Sequence, residues 1–364
     1  MKKRYVEFDY IRVFAAISII VIHATSRYIY DSRMAYYANQ FVRFAVPLFI
    51  ILSGLLLFLS DGSQKSNALN FYKKRARKMI IPFAVWTAFY IIFSNIAVVK
   101  AGKFGLHDFI ALFFKGLIYG NGYDHLYFMT IIIQLYLLYP ILNYLISRWQ
   151  YPALIISFAV TLTYQAGVYL QMLNMIKLPW TPLPYYEFFP TWIFYFVFGM
   201  YLGKNITGFE RAISNKKVII GSVWLTSLAL LILDSRVTKI YESIRPSIIF
   251  YCVMTFLFTY CIAVSLNAID ERLNNIAKWI SMQSFMIYLS HLVFMKISSS
   301  LFVHLGLAGR INNAFYVVLL FAVTTALTLV FAFAVSITPF AGYLGGVRVK
   351  KTYMPQMVPT DNKF

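Results

Sequence analysis

Charge is what this sequence has least of. Only 13% of its 364 residues are Asp, Glu, Lys or Arg, and just 13 residues are acidic. Soluble globular domains carry about 25% charged residues, so a water-soluble fold is excluded. There are two cysteines, Cys252 and Cys261. Nine apart in one apolar run, they lie too far apart on a straight helix to bridge, and they read as small core residues. The five histidines show no metal-ligand spacing, so no bound metal is expected. A glycine-rich phosphate loop, a heptad array and a strand-to-helix nucleophile turn are all missing. The net charge is +20, yet no soluble basic domain accompanies it, which argues against nucleic acid as a partner.

What is present is apolar length. Hydrophobic residues make up 60% of the chain, and the mean hydropathy is +0.68. Charge-free runs long enough to cross a bilayer occupy 44–60, 79–99, 126–146 and 247–268. Further spans fall at about 10–29, 151–171, 188–203, 217–233, 276–297 and 314–338. The expectation is an all-α polytopic protein of about ten transmembrane helices in the plasma membrane. The first span is no cleavable signal, because "SRYIYDSR" offers no small-residue cleavage site. Placing both termini in the cytoplasm puts most of the 33 Lys and Arg residues inside, above all those of "YKKRARK". The positive charge then reads as topology and contact with anionic lipid. Tyr and Trp at span ends, as in "WQY" and "LPW", suit the interfacial belt. The stretch 100–124 has an apolar middle too short to span and reads as an external interfacial or re-entrant helix. Residues 1–338 are expected to form one transmembrane domain and 339–364 a short cytoplasmic tail, with no appended catalytic domain.

Against that background the polar residues inside the spans stand out. The first, "FDYIRVFAAISIIVIHATSRY", carries Asp9, Arg12 and His23. Arg12 and His23 are three helical turns apart, on nearly one face and about 16 Å apart along the axis. Asp9 lies one turn before Arg12 and is placed to pair with it near the cytoplasmic interface. His23 lies about 21 Å beyond Asp9, past the middle of a hydrocarbon core about 30 Å thick. A lone intramembrane histidine is as readily an interhelical packing residue as a functional one. The ninth span weighs against that reading. In "SMQSFMIYLSHLVF", Ser284, Tyr288 and His291 share one face, and His291 lies about 18 Å beyond Trp279, a depth like that of His23. "YDHLYF" adds Asp124 and His125 at the outer mouth of the fourth span. At the inner side, Arg75 and Lys78 fall at i, i+3 on one face, while Lys73 and Lys74 read as topogenic charge. Cations at the inner mouth and imidazoles deeper in suit a donor with an anionic head and a long neutral arm, the shape of acyl-coenzyme A.

These residues carry a family resemblance. In order along nearly the whole chain, "FDYIRVFAAISIIVIH", "VPLFIILSGLLLF", "YKKRARKMIIP", "HLYFMTIIIQLYLLYP", "FYFVFGMYLG" and "SFMIYLSH" resemble the acyltransferase-3 family of integral-membrane O-acyltransferases. The likeness extends to the subgroup associated with bacterial biofilm and capsule polysaccharides. The resemblance implies transfer of an acyl group, often acetyl, from cytoplasmic acyl-coenzyme A to a hydroxyl of a cell-surface glycan or lipid-linked sugar. It makes His23 the base and Arg12 a donor or cavity residue, and it sets the family's arginine pair on Arg75 and Lys78. Lysine at the second position keeps the charge but loses the bidentate fork. With no hydrolase-like domain expected after the last helix, transfer would be completed in the membrane domain or handed to a separate protein.

The mechanism expected is therefore general-base catalysis by His23. Arg12, Arg75 and Lys78 would hold the phosphates of the acetyl-coenzyme A donor, with His291, Tyr288 and Asp9 completing the catalytic set. Ser284, Asp124 and His125 would contact the acceptor, and Asp124 or Tyr288 could orient a histidine or donate to the developing oxyanion. An acyl-enzyme on Ser284 is less favoured, because no nucleophile turn precedes it. The competing class is a polysaccharide exporter or flippase with the same residues lining a conduit. No internal repeat and no paired Gly/Pro-broken spans support that class.

Overall fold

The computed structural model describes residues 4–61, 68–307 and 311–349, and among them all regular structure is helical. The first half of the chain forms α1 (Val6–Thr25), α2 (Arg33–Phe41), α3 (Ala45–Asp61), α4 (Ala68–Ser94), α5 (Ile96–Lys100), α6 (Leu106–Tyr119) and α7 (Tyr127–Arg148). The second half forms α8 (Gln150–Met172), α9 (Ile193–Lys204), α10 (Ile206–Ile213), α11 (Lys217–Thr238), α12 (Pro246–Asn267), α13 (Glu271–His304) and α14 (Asn313–Ser336). Among the described residues, nine helical segments are long and apolar enough to cross a membrane. The expected tenth span, 188–203, is the exception. Its first residues form a 3-10 turn at Phe189–Thr191 around Pro190, so α9 keeps 12 residues, only about 18 Å of rise. The 100–124 stretch contains the 14-residue α6, ended by Gly120 in the left-handed conformation at φ 63°. Residues 350–364 of the expected tail lie outside the described residues.

The chain divides into two compact units. Unit 1 is built from Met1–Ala45, Lys217–Ile232 and Val253–Phe364, and unit 2 from Val46–Lys216 and Leu233–Cys252. In unit 1, α1 buries Phe8, Ile11, Ala15, Ser18 and Ile19, an i, i+3, i+7 stripe that faces its neighbours. The start of α1 meets the end of α12 and the first half of α13, through Asn267 to Glu7, Asn274 to Tyr10 and Ser281 to Asp9, and its end meets α13 further on, through His291 to His23. Helices α1 and α13 therefore run parallel, so residues of equal depth meet. Helix α2 is fastened to the end of α1 by Asn39, whose Nδ2 donates to the Ile22 carbonyl at 3.2 Å and to Thr25 Oγ1 at 2.8 Å.

Unit 2 turns on a backbone contact between α3 and α9. A Cβ on Gly54 would overlap the Phe196 carbonyl, one on Gly199 would overlap the Ile51 carbonyl, and one on Gly203 would lie 2.9 Å from the Leu55 carbonyl. Small residues four apart let helix backbones touch in lipid, where dispersion rather than water drives association. This is the physical content of "FIILSG" and "FGMYLG". Gly199→Ala is expected to remove the monodisperse peak of the detergent-extracted protein on size exclusion. Gly208→Ala, at a position with no neighbour within 4 Å, should leave that peak unchanged. Cys252 and Cys261 are buried free thiols.

Candidate active site

The polar residues of α1 meet those of α13 at two levels. At the lower level Asp9, 6% exposed, accepts a bidentate pair from Arg4 at 2.9 and 3.0 Å. It also accepts 2.6 Å from the Ser281 hydroxyl. Arg12 donates to the same hydroxyl at 3.1 Å. The sequence expectation was a direct Asp9–Arg12 pair one turn apart. The structure adds Arg4 as a bidentate partner of the carboxylate and sets the Ser281 hydroxyl within bonding reach of both Asp9 and Arg12, because parallel packing puts a hydroxyl of α13 at that depth. The result is a fixed, charge-assisted cluster that leaves Arg12 half-buried.

About three turns further along, the rings of His23 and His291 lie 5.2 Å apart at 46°. His291 is fully buried, and its Nδ1 sits 2.7 Å from the Tyr288 carbonyl. A carbonyl only accepts, so Nδ1 carries the proton and the lone pair of a neutral ring resides on Nε2. The role of Tyr288 seen here is thus backbone orientation of His291, with its ring 6.2 Å from the imidazole. Ser284 is buried on the same face of α13. His23 is only partly buried. The Asn39 bonds to Ile22 and Thr25 fix the helical turn that carries His23, and Arg43 lies in the turn just after α2, the helix that bears Asn39. A reachable imidazole beside a buried, oriented one is an arrangement suited to general-base chemistry.

The other expected site residues belong to unit 2. Arg75 turns inward, with its guanidinium 3.4 Å from Ser60 Oγ, 5.8 Å from the Phe71 ring centre and 6.0 Å from that of Tyr136. Lys78 is exposed on the same helix, as are Lys73 and Lys74. His125 is 1% exposed and packs edge-on against Tyr90 at 5.1 Å and Tyr123 at 6.0 Å. Its neighbour Asp124 is exposed. The two residues expected to act together at one mouth therefore face different surroundings. Among the described residues no group of three His, Cys, Asp or Glu side chains could hold a metal ion.

Comparison with known proteins decides the family. A family profile described as "Acyltransferase domain", that of acyltransferase-3, matches residues 5–333. The chain belongs to the acyltransferase-3 family. It is 26% identical over 360 residues to the "Putative membrane-bound acyltransferase YfiQ" of Bacillus subtilis, covering 95% of this chain and 94% of that one. It is 25% identical over 312 residues to the "Probable poly-beta-1,6-N-acetyl-D-glucosamine export protein" of Staphylococcus aureus Mu50, covering 80% and 82%. No solved structure matches it. The protein is thus a multi-pass membrane protein of an acyltransferase family.

Within this acyltransferase-3 chain, sequence reading missed Arg4, Ser281, Asn39, Arg43 and Glu187. Ser281 and Asn39 give no signal alone, since serine and asparagine are ordinary in membrane helices. Arg43 and Glu187 had one. Each is a charge set in an apolar or aromatic run, "FVRFAVP" and "YYEFFP", and each could have been asked the question put to His23.

Proposed function

We propose that this protein is an O-acyltransferase, in the first instance an O-acetyltransferase, that uses cytoplasmic acyl-coenzyme A and acylates a hydroxyl of a cell-surface glycan or lipid-linked sugar. The observation that carries the reading is the His23–His291 pair, set about 16 Å along α1 from the Arg12 cluster. His23 takes the proton of the acceptor hydroxyl as its oxygen attacks the thioester carbon, and coenzyme A leaves as the thiol. His291, held by the Tyr288 carbonyl, fixes the ring geometry. Arg12, steadied through Ser281 and Asp9, offers its guanidinium to a donor phosphate. The assignment of Arg75 and Lys78 to the same donor rests on the family pattern, as does that of Asp124, His125 and Ser284 to the acceptor.

Reconstituted protein offered acetyl-coenzyme A labelled in the acetyl group, together with a base-treated envelope glycan, should yield labelled glycan. An absence of label at every glycan tested would end the enzyme reading. The second reading, polysaccharide export, is favoured by the likeness to the Staphylococcus aureus protein named as a probable export protein. It would show as glycan movement across a sealed vesicle without label transfer.

Direction is testable separately. Cysteine at Gly122 would crowd Thr87, whose Cγ2 lies 2.9 Å from the new Cβ, so exposed Asn121 is the better reporter beside Asp124. With Cys252 and Cys261 replaced by Ala, Asn121→Cys should react with an impermeant thiol reagent in intact cells. Asn215→Cys, exposed between α10 and α11, should react only after permeabilisation. The reverse pattern would put the "YKKRARK" segment outside, away from coenzyme A.

A further inference from the structure

The segment joining α8 to α9 holds its backbone with unusual care. The carbonyls of three consecutive residues are each taken by a side chain: Tyr185 by Thr191 Oγ1 at 2.7 Å, Tyr186 by Trp192 Nε1 at 2.9 Å, and Glu187 by Gln134 Nε2 at 2.8 Å. Gln134 Oε1 accepts from the Phe189 N–H at 3.2 Å, so both ends of one amide of α7 clamp the segment. From α8, Thr161 Oγ1 donates to the Pro190 carbonyl at 2.8 Å and Gln165 Nε2 to that of Thr191 at 3.1 Å. The side chain at the centre of this frame is Glu187, 2% exposed. Its Oε2 is buried and bonded to no described protein atom.

A buried carboxyl oxygen without a partner is costly, and native proteins leave few of them. A purely structural site would be cheaper with glutamine or an apolar residue. We propose that Glu187 anchors a binding site within unit 2 for a hydroxyl-bearing sugar, the acceptor of the transfer reaction. This deepens the acyltransferase reading above and rests on it. A carboxyl group can bond two or more hydroxyls at once. The Tyr186 ring, edge-on to Tyr127 at 5.9 Å, supplies aromatic surface beside it of the amphipathic kind that sugar rings meet. Burial pushes the Glu187 carboxyl up to about 7, with the neighbouring Tyr186 side chain acting in the opposite direction. A group near half ionisation at neutral pH makes a weak partner for a cation, whereas a hydroxyl bonds to either form. A metal ion is disfavoured as well, because no cluster of ligating side chains accompanies Glu187 among the described residues.

The test uses membranes from cells producing the full chain. The probe is those cells' own envelope glycan, stripped of acyl groups with mild base, and ethanolamine serves as the cationic control. A hydrophobic carbodiimide should form an adduct at Glu187, read by mass spectrometry, and the glycan should suppress that adduct while ethanolamine does not. Glu187→Gln should lower transfer to the glycan about tenfold or more, the scale of one charge-assisted bond, with the apparent KM for acetyl-coenzyme A unchanged. No adduct, an adduct insensitive to glycan, an adduct suppressed by ethanolamine instead, or Glu187→Gln transferring within twofold of the parent would each overturn the site. If glycan protects Glu187 while the parent protein transfers no acyl group, the sugar site stands and the acyltransferase reading falls. If transfer proceeds and glycan gives no protection, the reverse holds.

Discussion

His23→Ala is expected to accumulate in the membrane like the parent protein and to transfer acyl groups about 10²–10⁴-fold more slowly, the usual span for removal of a general base. The two halves of this expectation come from different facts. His23 is only partly buried, and a polar interhelical contact in lipid contributes only about 0.6 to 2 kcal/mol, so the fold should tolerate its loss. The chemistry should not, because no other described imidazole shares its environment. His291 is buried with Nδ1 committed to the Tyr288 carbonyl, and His125 is enclosed by Tyr90 and Tyr123 in the other unit. Initial rates at saturating acetyl-coenzyme A, set beside the amount of protein measured by in-gel fluorescence of a fused reporter, check both halves. A rate within a few fold of the parent would return His23 to the status of a packing residue. His291→Ala makes the contrast. It removes a fully buried ring, so part of its effect should appear as lower accumulation.

The spans were legible because lipid imposes length and apolarity on each helix separately, a requirement satisfied within one stretch of sequence. The exception, 188–203, shows the limit of that reasoning. Its apolar residues are real, but Phe189–Thr191 and Trp192 are used to hold the Glu187 segment, a use that depends on Gln134 in α7 and Thr161 in α8. The meeting of His23 and His291 was legible for a related reason. His23 and His291 have matching depths along their own helices, and depth can be counted from sequence. What could not be counted was partnership. Asp9 takes Arg4 and Ser281 in addition to standing one turn from Arg12, because the parallel packing of α1 on α13 decides which hydroxyl arrives at that depth. Arg75 and Lys78 share a helical face in sequence, yet the first is stacked among Phe71, Tyr136 and Ser60 while the second is exposed. Side-chain polarity alone gave no way to separate them.

Asp234→Ala is expected to be the most destabilising single change at a polar residue of unit 2, by about 3–5 kcal/mol. Arg245 is a fully buried cation, and its Nη1 lies 3.4 Å from Asp234 Oδ2. The same carboxylate accepts from Ser247 Oγ at 2.6 Å and from Tyr169 OH at 2.5 Å, which ties α8, α11 and α12 together. Arg245 also closes the turn between α11 and α12 through the carbonyls of Glu242 at 3.1 Å and Ile240 at 2.9 Å. Removing the carboxylate leaves a guanidinium in the protein interior without the Asp234 charge that faces it. The opposite deletion is milder. In Arg245→Met, Asp234 keeps two hydroxyl donors and is itself less deeply buried, at 19% against 0% side-chain exposure. Removing both charges together, Asp234→Asn with Arg245→Met, should recover much of the loss, since a buried ion pair is often no more stable than an uncharged replacement of similar volume. In thermal unfolding of the detergent-solubilised protein, the order of apparent Tm should be parent, then the double variant near Arg245→Met, then Asp234→Ala lowest by roughly 5–10 °C. Equal losses for the two single variants would mean that the hydroxyl bonds of Asp234, and not the stranded charge of Arg245, dominate the cluster.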